Sequence, residues 1–342
     1  MPLTSRQQIL FNPGPVNLDP RIKENLFNVE LCHRQPEFEE LQDRVRARIL
    51  SHLGLDSGQV ALSLLHGSGS LAVDAGLASF VRGRVLVADN GLYCQRMVRT
   101  LSTLEGAEAW ASSVPVGAPL DLKALEEDME AREPDWVAMV HHETTTGILN
   151  PLAAVAQLCR RHGVRLFVDA VSSLGVHEVD RSVDVVCFNS NKCLESLPGI
   201  AGVLWKRELR SYPTVPVLNV PAYADGIPST PNIQAMIGLD VALDILESED
   251  RPARYHRLVR AVWTAGSRHF EPLLEESLRS WVLTSFRLEG RDPDTLFAQA
   301  LKYGYVIYHG QNELRTEIFR VANMGAAMDE EVIENLFHVL AS

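Results

Sequence analysis

Three stretches of this sequence carry residue types that do chemistry. The first is His66-Gly67-Ser68-Gly69-Ser70-Leu71-Ala72, which follows the apolar run Val60–Leu65. Glycines there let the main chain close on a phosphate, and the N–H groups that open a helix face the anion. Ser68 and Ser70 add hydroxyl donors, which suit a phosphate monoester, and no Lys-Ser/Thr follows to make a P-loop. The second is Asp169, a carboxylate at the tip of the apolar run Arg165–Val168. Buried at a strand end, it is costly unless paired or hydrogen-bonded. The third is Lys192, in the polar stretch Asn189-Ser190-Asn191-Lys192-Cys193 just beyond the next apolar run. Asp169 and Lys192 are 192 − 169 = 23 residues apart, one strand-turn-strand unit, so both can reach one crevice.

An acid, a lysine and a phosphate cradle are the parts that pyridoxal 5'-phosphate requires. The carboxylate keeps the pyridine nitrogen protonated, the lysine forms the Schiff base and the glycine loop holds the phosphate. Each part alone has a plainer explanation: a helix-capping Asp, a solvated loop lysine, a tight turn. A nicotinamide site is the rival reading, because Gly67, Gly69 and Ala72 satisfy G-x-G-x-x-[GA] and Asp89 stands about 20 residues on. That reading leaves Lys192 without a role. The run His141-His142-Glu143 offers metal-ligand types, yet neighbours on a strand face opposite ways, so no metal is expected.

Positioning these groups requires strands that end at one edge. Short apolar runs at Val60–Leu65, Arg84–Ala88, Trp136–Val140, Arg165–Val168, Val183–Phe188 and Ile200–Trp205 read as strands. Helical periodicity fills Ala72–Val81, Leu122–Glu130 and Ala153–Arg161 between them. This alternation predicts an α/β fold with a largely parallel sheet covered on both faces, its ligand beyond the carboxyl ends of the strands. Before it, Leu10–Pro20 has three prolines and reads as an extended arm, and Phe38, Leu41, Val45, Ile49 and Leu53 mark an amphipathic helix ending at Gly54. After it, a Pro-rich stretch from Pro213 to Pro231 precedes a long helix at about Ile233–Glu247. Another helix, a strand at Trp281–Leu288, a helix near Leu296 and two further strands follow. The expected division is an N-terminal arm (1–20), a large domain (21–235) and a smaller C-terminal α/β domain (236–342).

The chain has 342 residues, 46% hydrophobic, and a formal net charge of −12, enough to bury a large core and a balance that argues against nucleic acid. Five cysteines without a C-x-x-C pair fit reduced thiols and a cytoplasmic protein. MPLTSRQQIL lacks the pattern of a secretory leader, and no apolar run is long enough to span a membrane.

Beyond these readings, nine segments in order resemble the class V aminotransferases of fold type I. They are NPGPV (Asn12–Val16), HRQPEF (His33–Phe38), HGSGS (His66–Ser70), NGLY (Asn90–Tyr93) and HHETTTG (His141–Gly147). VDAVSS (Val168–Ser173), SNKC (Ser190–Cys193), VIYHG (Val306–Gly310) and FRVANMG (Phe319–Gly325) complete the set. The alanine–glyoxylate and 2-aminoethylphosphonate–pyruvate branches are the most similar. The second usually has a VIYPGK-like run, where this chain reads Val306-Ile307-Tyr308-His309-Gly310-Gln311.

The resemblance implies a seven-stranded-type large domain and a pyridoxal-phosphate-dependent aminotransferase. Its amino donor would be a small amine or amino acid, 2-aminoethylphosphonate-like among the options, and its acceptor a 2-oxo acid such as pyruvate or glyoxylate. A lyase, decarboxylase or bond-forming reaction on the same scaffold is the alternative, and a nicotinamide dehydrogenase the remote one. Lys192 would carry the Schiff base and shuttle a proton, and Asp169 would pair with the pyridinium nitrogen. Ser68, Gly69 and Ser70 would hold phosphate, with Ser229 or Thr230 reaching across from a second subunit of a homodimer with shared active sites. Tyr93 would stack on the ring, Thr144 would bond near its hydroxyl, and Arg320 would clamp the substrate carboxylate. Arg34 is read as an interface residue and His309 as a substrate-side candidate.

Overall fold

Alternating apolar positions in short strands need cover on both faces, and the chain meets that need with one large sheet between helices. The computed structural model describes residues 8–342; MPLTSRQ, which opens the segment read above for a leader, lies outside the described residues. The large sheet has seven strands: β1 (Val60–Gly67), β2 (Gly83–Asp89), β3 (Ala107–Ser113), β4 (Trp136–Val140), β5 (Arg165–Asp169), β6 (Val185–Asn189) and β7 (Gly199–Lys206). Their spatial order is β1-β7-β6-β5-β4-β2-β3. The pairs from β6 to β3 are parallel, while β7 is antiparallel to both β6 and β1, so it alone runs against the rest.

The period-two pattern splits the core. Leu62, Leu64, Leu86 and Ala88 pack in one cluster, whereas Ala61, Leu65, Val85 and Val87 pack in another. Each fully buried Leu or Val contributes roughly 1.5–3 kcal/mol, so these two layers dominate the stability of the sheet. The helices α1 (Pro20–Asn25), α2 (Pro36–His52), α3 (Gly69–Phe80), α4 (Leu92–Leu101), α5 (Leu122–Arg132) and α6 (Leu152–His162) lie along the same part of the chain. α2 buries Phe38, Leu41, Val45 and Ile49, the stripe read from the sequence. β3 was not among the expected strands. It is an edge strand in which five of seven residues are Ala or Ser, weak strand formers, and is half exposed along its length.

Past the Pro-rich stretch, α7 (Ile233–Ser248) shares the core of the large sheet through Met236, Leu239 and Leu243. The helix α8 (Arg251–Gly266) then leads to a smaller antiparallel sheet of β8 (Leu283–Arg287), β9 (Tyr308–His309) and β10 (Ile318–Ala322), in the order β8-β10-β9. With α9 (Pro293–Lys302) and α10 (Glu330–Ala341), this sheet encloses Phe286, Phe319 and Phe337. Where the sequence suggested two final strands there are three short ones. Tyr305–Val306 breaks from the sheet to pair in parallel with Ile9–Leu10, which fixes the extended arm onto this part of the fold.

Candidate active site

The carboxyl ends of β5 and β6 and the turn from β1 into α3 open onto one cleft of about 440 Å³. Ser68 is the N-cap of α3, and its hydroxyl makes no cap bond, so the first turn keeps its donors facing the cleft. A Cβ on Gly67 would sit 2.4 Å from Leu71 Cδ2, and one on Gly69 would sit 2.5 Å from Val171 Cγ1. The Leu71 side chain can swing aside, but the β-branched Val171 cannot, so Gly69 is the position that demands glycine.

Asp169 ends β5 and lines the cleft. Its Oδ1 accepts from the Val171 N–H at 2.9 Å. Burial pushes its carboxyl above the ordinary range, opposed by the Val171 hydrogen bond and the charges of Lys192 and Arg96. Lys192 follows β6 and faces Tyr93, its Nζ 5.9 Å from the ring centroid. Tyr93 stands at the start of α4, where its N–H donates to Glu143 Oε2 at 3.0 Å. Gly91 permits that contact, since a Cβ there would lie 2.3 Å from Glu143 Cγ.

His142 and Thr144 form another wall. The Nδ1 of His142 lies 2.9 Å from the Ser172 carbonyl oxygen and must carry the proton, leaving Nε2 to accept from the Ser280 hydroxyl at 2.8 Å. Burial lowers its pKa to about 3, so the ring is neutral. His142 is held from both sides by polar protein groups, and His141 faces His177 instead, so the pair does not converge on a common point.

Arg320, on β10, is 2% exposed and stands just behind this wall. It donates from Nη1 to the Thr144 carbonyl at 2.8 Å and from Nε to the His309 carbonyl at 2.9 Å. Among the described residues no carboxylate pairs with it. The ring of His309 is turned away, 5.0 Å from Phe297 and with Nε2 3.5 Å from Asp294. Thus Ser68, Gly69, Ser70, Tyr93, Thr144, Asp169 and Lys192 come together, with Arg320 behind them. Ser229 and Thr230 do not: they line a separate surface cleft with His33 and Arg34. Asp89 accepts from Gly91 N–H and the Ser113 hydroxyl, each at 3.1 Å, and serves a turn.

Several site residues escaped sequence reasoning. Arg96 lines the cleft one helical turn after Tyr93, a spacing that could have revealed it. Asn189 is buried with its Oδ1 unsatisfied. Glu195 lies outside the cleft but anchors the Lys192 loop. Its N–H donates to the Lys192 carbonyl at 2.8 Å. Its carboxylate accepts from Arg254 at 2.7 Å, from Gly325 N–H at 2.8 Å and from the Tyr255 hydroxyl. No local sequence signal marks that role, because its side-chain partners are more than 50 residues away.

The sequence profile of the family described as aminotransferase class-V matches residues 82–260. The chain belongs to the class V aminotransferases. Among relatives of this aminotransferase is a 2-aminoethylphosphonate–pyruvate transaminase of Bacillus cereus (strain G9842), 28% identical with 96% of each chain covered. In three dimensions it is similar to an alanine–glyoxylate aminotransferase from Nostoc sp., with a TM-score of 0.92, 25% identity, and 100% and 96% of the two chains covered. It is likewise similar to a pyridoxamine–pyruvate aminotransferase from Mesorhizobium loti, with a TM-score of 0.86, 25% identity and coverage of 98% and 90%. The cofactor of the aminotransferase is pyridoxal phosphate. The cleft fits that group: a cradle that a Cβ would fill, an uncapped helix start, and a buried acid and a lysine within one cavity.

Proposed function

We propose that the aminotransferase moves an amino group from a small amine or amino acid to a 2-oxo acid such as pyruvate or glyoxylate. The observation that carries this reading is the shared cleft of Lys192, Asp169, Tyr93 and the Gly67–Ser70 cradle. The names of the relatives support 2-aminoethylphosphonate, or a similarly small donor, as the amine.

In this reading Ser68, Gly69 and Ser70 would hold the phosphate at the start of α3, where the helix dipole favours an anion. Asp169 would face the pyridine nitrogen. The cofactor's positive ring would offset the cost of burying that carboxylate. Tyr93 would cover the ring, and Thr144 would lie near the ring hydroxyl. When bound, the cofactor supplies an electron sink for the pair left on the donor carbon. Lys192 would hold the cofactor through its amine and, once displaced by the donor, carry a proton from the donor carbon on Nζ. Arg320 would hold the oxo-acid carboxylate with the edge of its fork that the two carbonyls leave free. Ser229 and Thr230 of a second copy would complete the phosphate site in a homodimer. We place the protein in the cytoplasm; among the described residues no helix is long and apolar enough to cross a membrane.

Replacing Lys192 by Ala tests the reading. The variant is expected to lose the visible absorbance of lysine-bound cofactor and the turnover seen in an amine screen with pyruvate and glyoxylate. A normal band with normal turnover in Lys192→Ala would overturn it.

A further inference from the structure

Outside the cofactor cleft, a pocket of about 140 Å³ lies between α8 and the segment that precedes β8. Its wall includes Arg279, Trp263, Arg260, His256 and Glu276. The Arg279 side chain is 7% exposed, so it is deeply buried. Yet it donates no hydrogen bond to any described residue, and its Nε is among the buried atoms without a partner. The nearest carboxylate oxygen, on Glu276, is 3.9 Å from Nη2, too long for a hydrogen bond, and that residue is itself 71% exposed. The guanidinium rests on the face of Trp263, with Cζ 4.6 Å from the ring centroid. Stacking fixes its plane but satisfies none of its N–H groups.

Arginine stays charged under physiological conditions, and leaving a buried charge without acceptors is strongly unfavourable. A guanidinium offers donors only, so the partner it requires is an acceptor with negative charge. Two of the remaining wall residues, Arg260 and His256, are basic types, against the single acid Glu276. The volume is below the roughly 300 Å³ at which sites for drug-sized ligands begin. We propose that this pocket binds a small oxyanion, an inorganic phosphate or a small carboxylate, through the Arg279 guanidinium held on the face of Trp263. The site is separate from the cofactor cleft but adjoins it. Ser280 lines this pocket, and its hydroxyl contacts His142, which lines the other.

The test is titration of cofactor-loaded enzyme with inorganic phosphate and, separately, with acetate, followed by calorimetry and by the thermal unfolding midpoint. Wild type and Arg320→Gln should bind at least one of the two anions alike, and the preferred anion tells phosphate from carboxylate. Arg279→Met should weaken that binding roughly tenfold or more, because it removes charge-assisted hydrogen bonds. Without anion it should fold as well as wild type, since the arginine it removes makes no hydrogen bond. Trp263→Leu removes the ring face that holds the guanidinium and should weaken binding about three- to tenfold. It stands as the independent check should Arg279→Met fail to fold. The proposal is overturned if neither anion binds, if Trp263→Leu binds as wild type does, or if binding survives Arg279→Met, whatever Arg320→Gln does.

Discussion

Arg320 donates to the main-chain carbonyl of Thr144 across 2.8 Å, binding the small sheet directly to the wall of the cofactor cleft. The guanidinium is thereby oriented by two carbonyls while its positive charge has no ion-pair partner among the described residues. Arg320→Lys retains the charge but not the fork. It should raise KM for the 2-oxo acid by about ten- to a hundredfold while leaving the cofactor absorbance intact, as steady-state kinetics and a spectrum will show.

Gly69 supplies a second test, aimed at the cofactor alone. Alanine is the better helix former by up to about 1 kcal/mol, but here its methyl would meet Val171 Cγ1 at 2.5 Å. Gly69→Ala should fold and yet bind pyridoxal phosphate at least roughly tenfold more weakly, as the cradle closes. Equilibrium titration of the cofactor absorbance measures this. Unchanged affinity would remove Gly69 from the phosphate site.

Buried histidines make stability fall in acid. Burial lowers the pKa of His141 and His142 to about 3 and that of His177 to about 4, from an ordinary 6.5. Between these values the unfolded chain binds protons that the folded chain refuses, so stability is lost as pH falls below about 6.5. At pH 5 each histidine costs about 2 kcal/mol relative to neutral pH, and three such groups rival the roughly 5–15 kcal/mol net stability of a typical protein. Denaturant titrations at pH 7 and pH 5 should show the drop, and His177→Gln should reduce it.

Glu195 acts in the same direction by the opposite route. Arg251 and Arg254 hold its carboxyl below the ordinary range against the cost of burial, so its stabilisation is present at neutral pH and lost as pH falls through that depressed value. Glu195→Ala would take from the buried Arg251 and the half-buried Arg254 the carboxylate they share, leaving them Glu249 alone. It should cost about 3–5 kcal/mol in a denaturant titration. Glu195→Gln keeps the shape and should cost less. Both should lower the rate with which Lys192 takes up cofactor, since the loop carrying it loses its brace.

The strands and the helices between them were legible because buried β-branched runs and amphipathic stripes are local signals. Asp169, Lys192 and the glycine loop were legible for a related reason: strand ends converge at one edge whatever the loops do. β3 was hidden because five of its seven residues are Ala or Ser, which gives up strand propensity at a half-exposed edge. Glu195 and Arg279 were hidden more deeply. Their significance lies in which distant residues do or do not meet them, and no spacing along the chain encodes that.

The reversed strand has one more consequence. β6 and β7 are both interior strands, so the loop between them, which bears Lys192, is clamped at each end by a strand paired on both sides. It cannot fray on its own as a surface loop does; releasing its ends means prising apart two interior strands of the large sheet. The reactive amine is therefore carried on one of the last segments that partial unfolding would release, while Ser229 and Thr230 ride on the peripheral stretch before α7. Breathing motions that loosen the rim of the protein would leave the lysine in register.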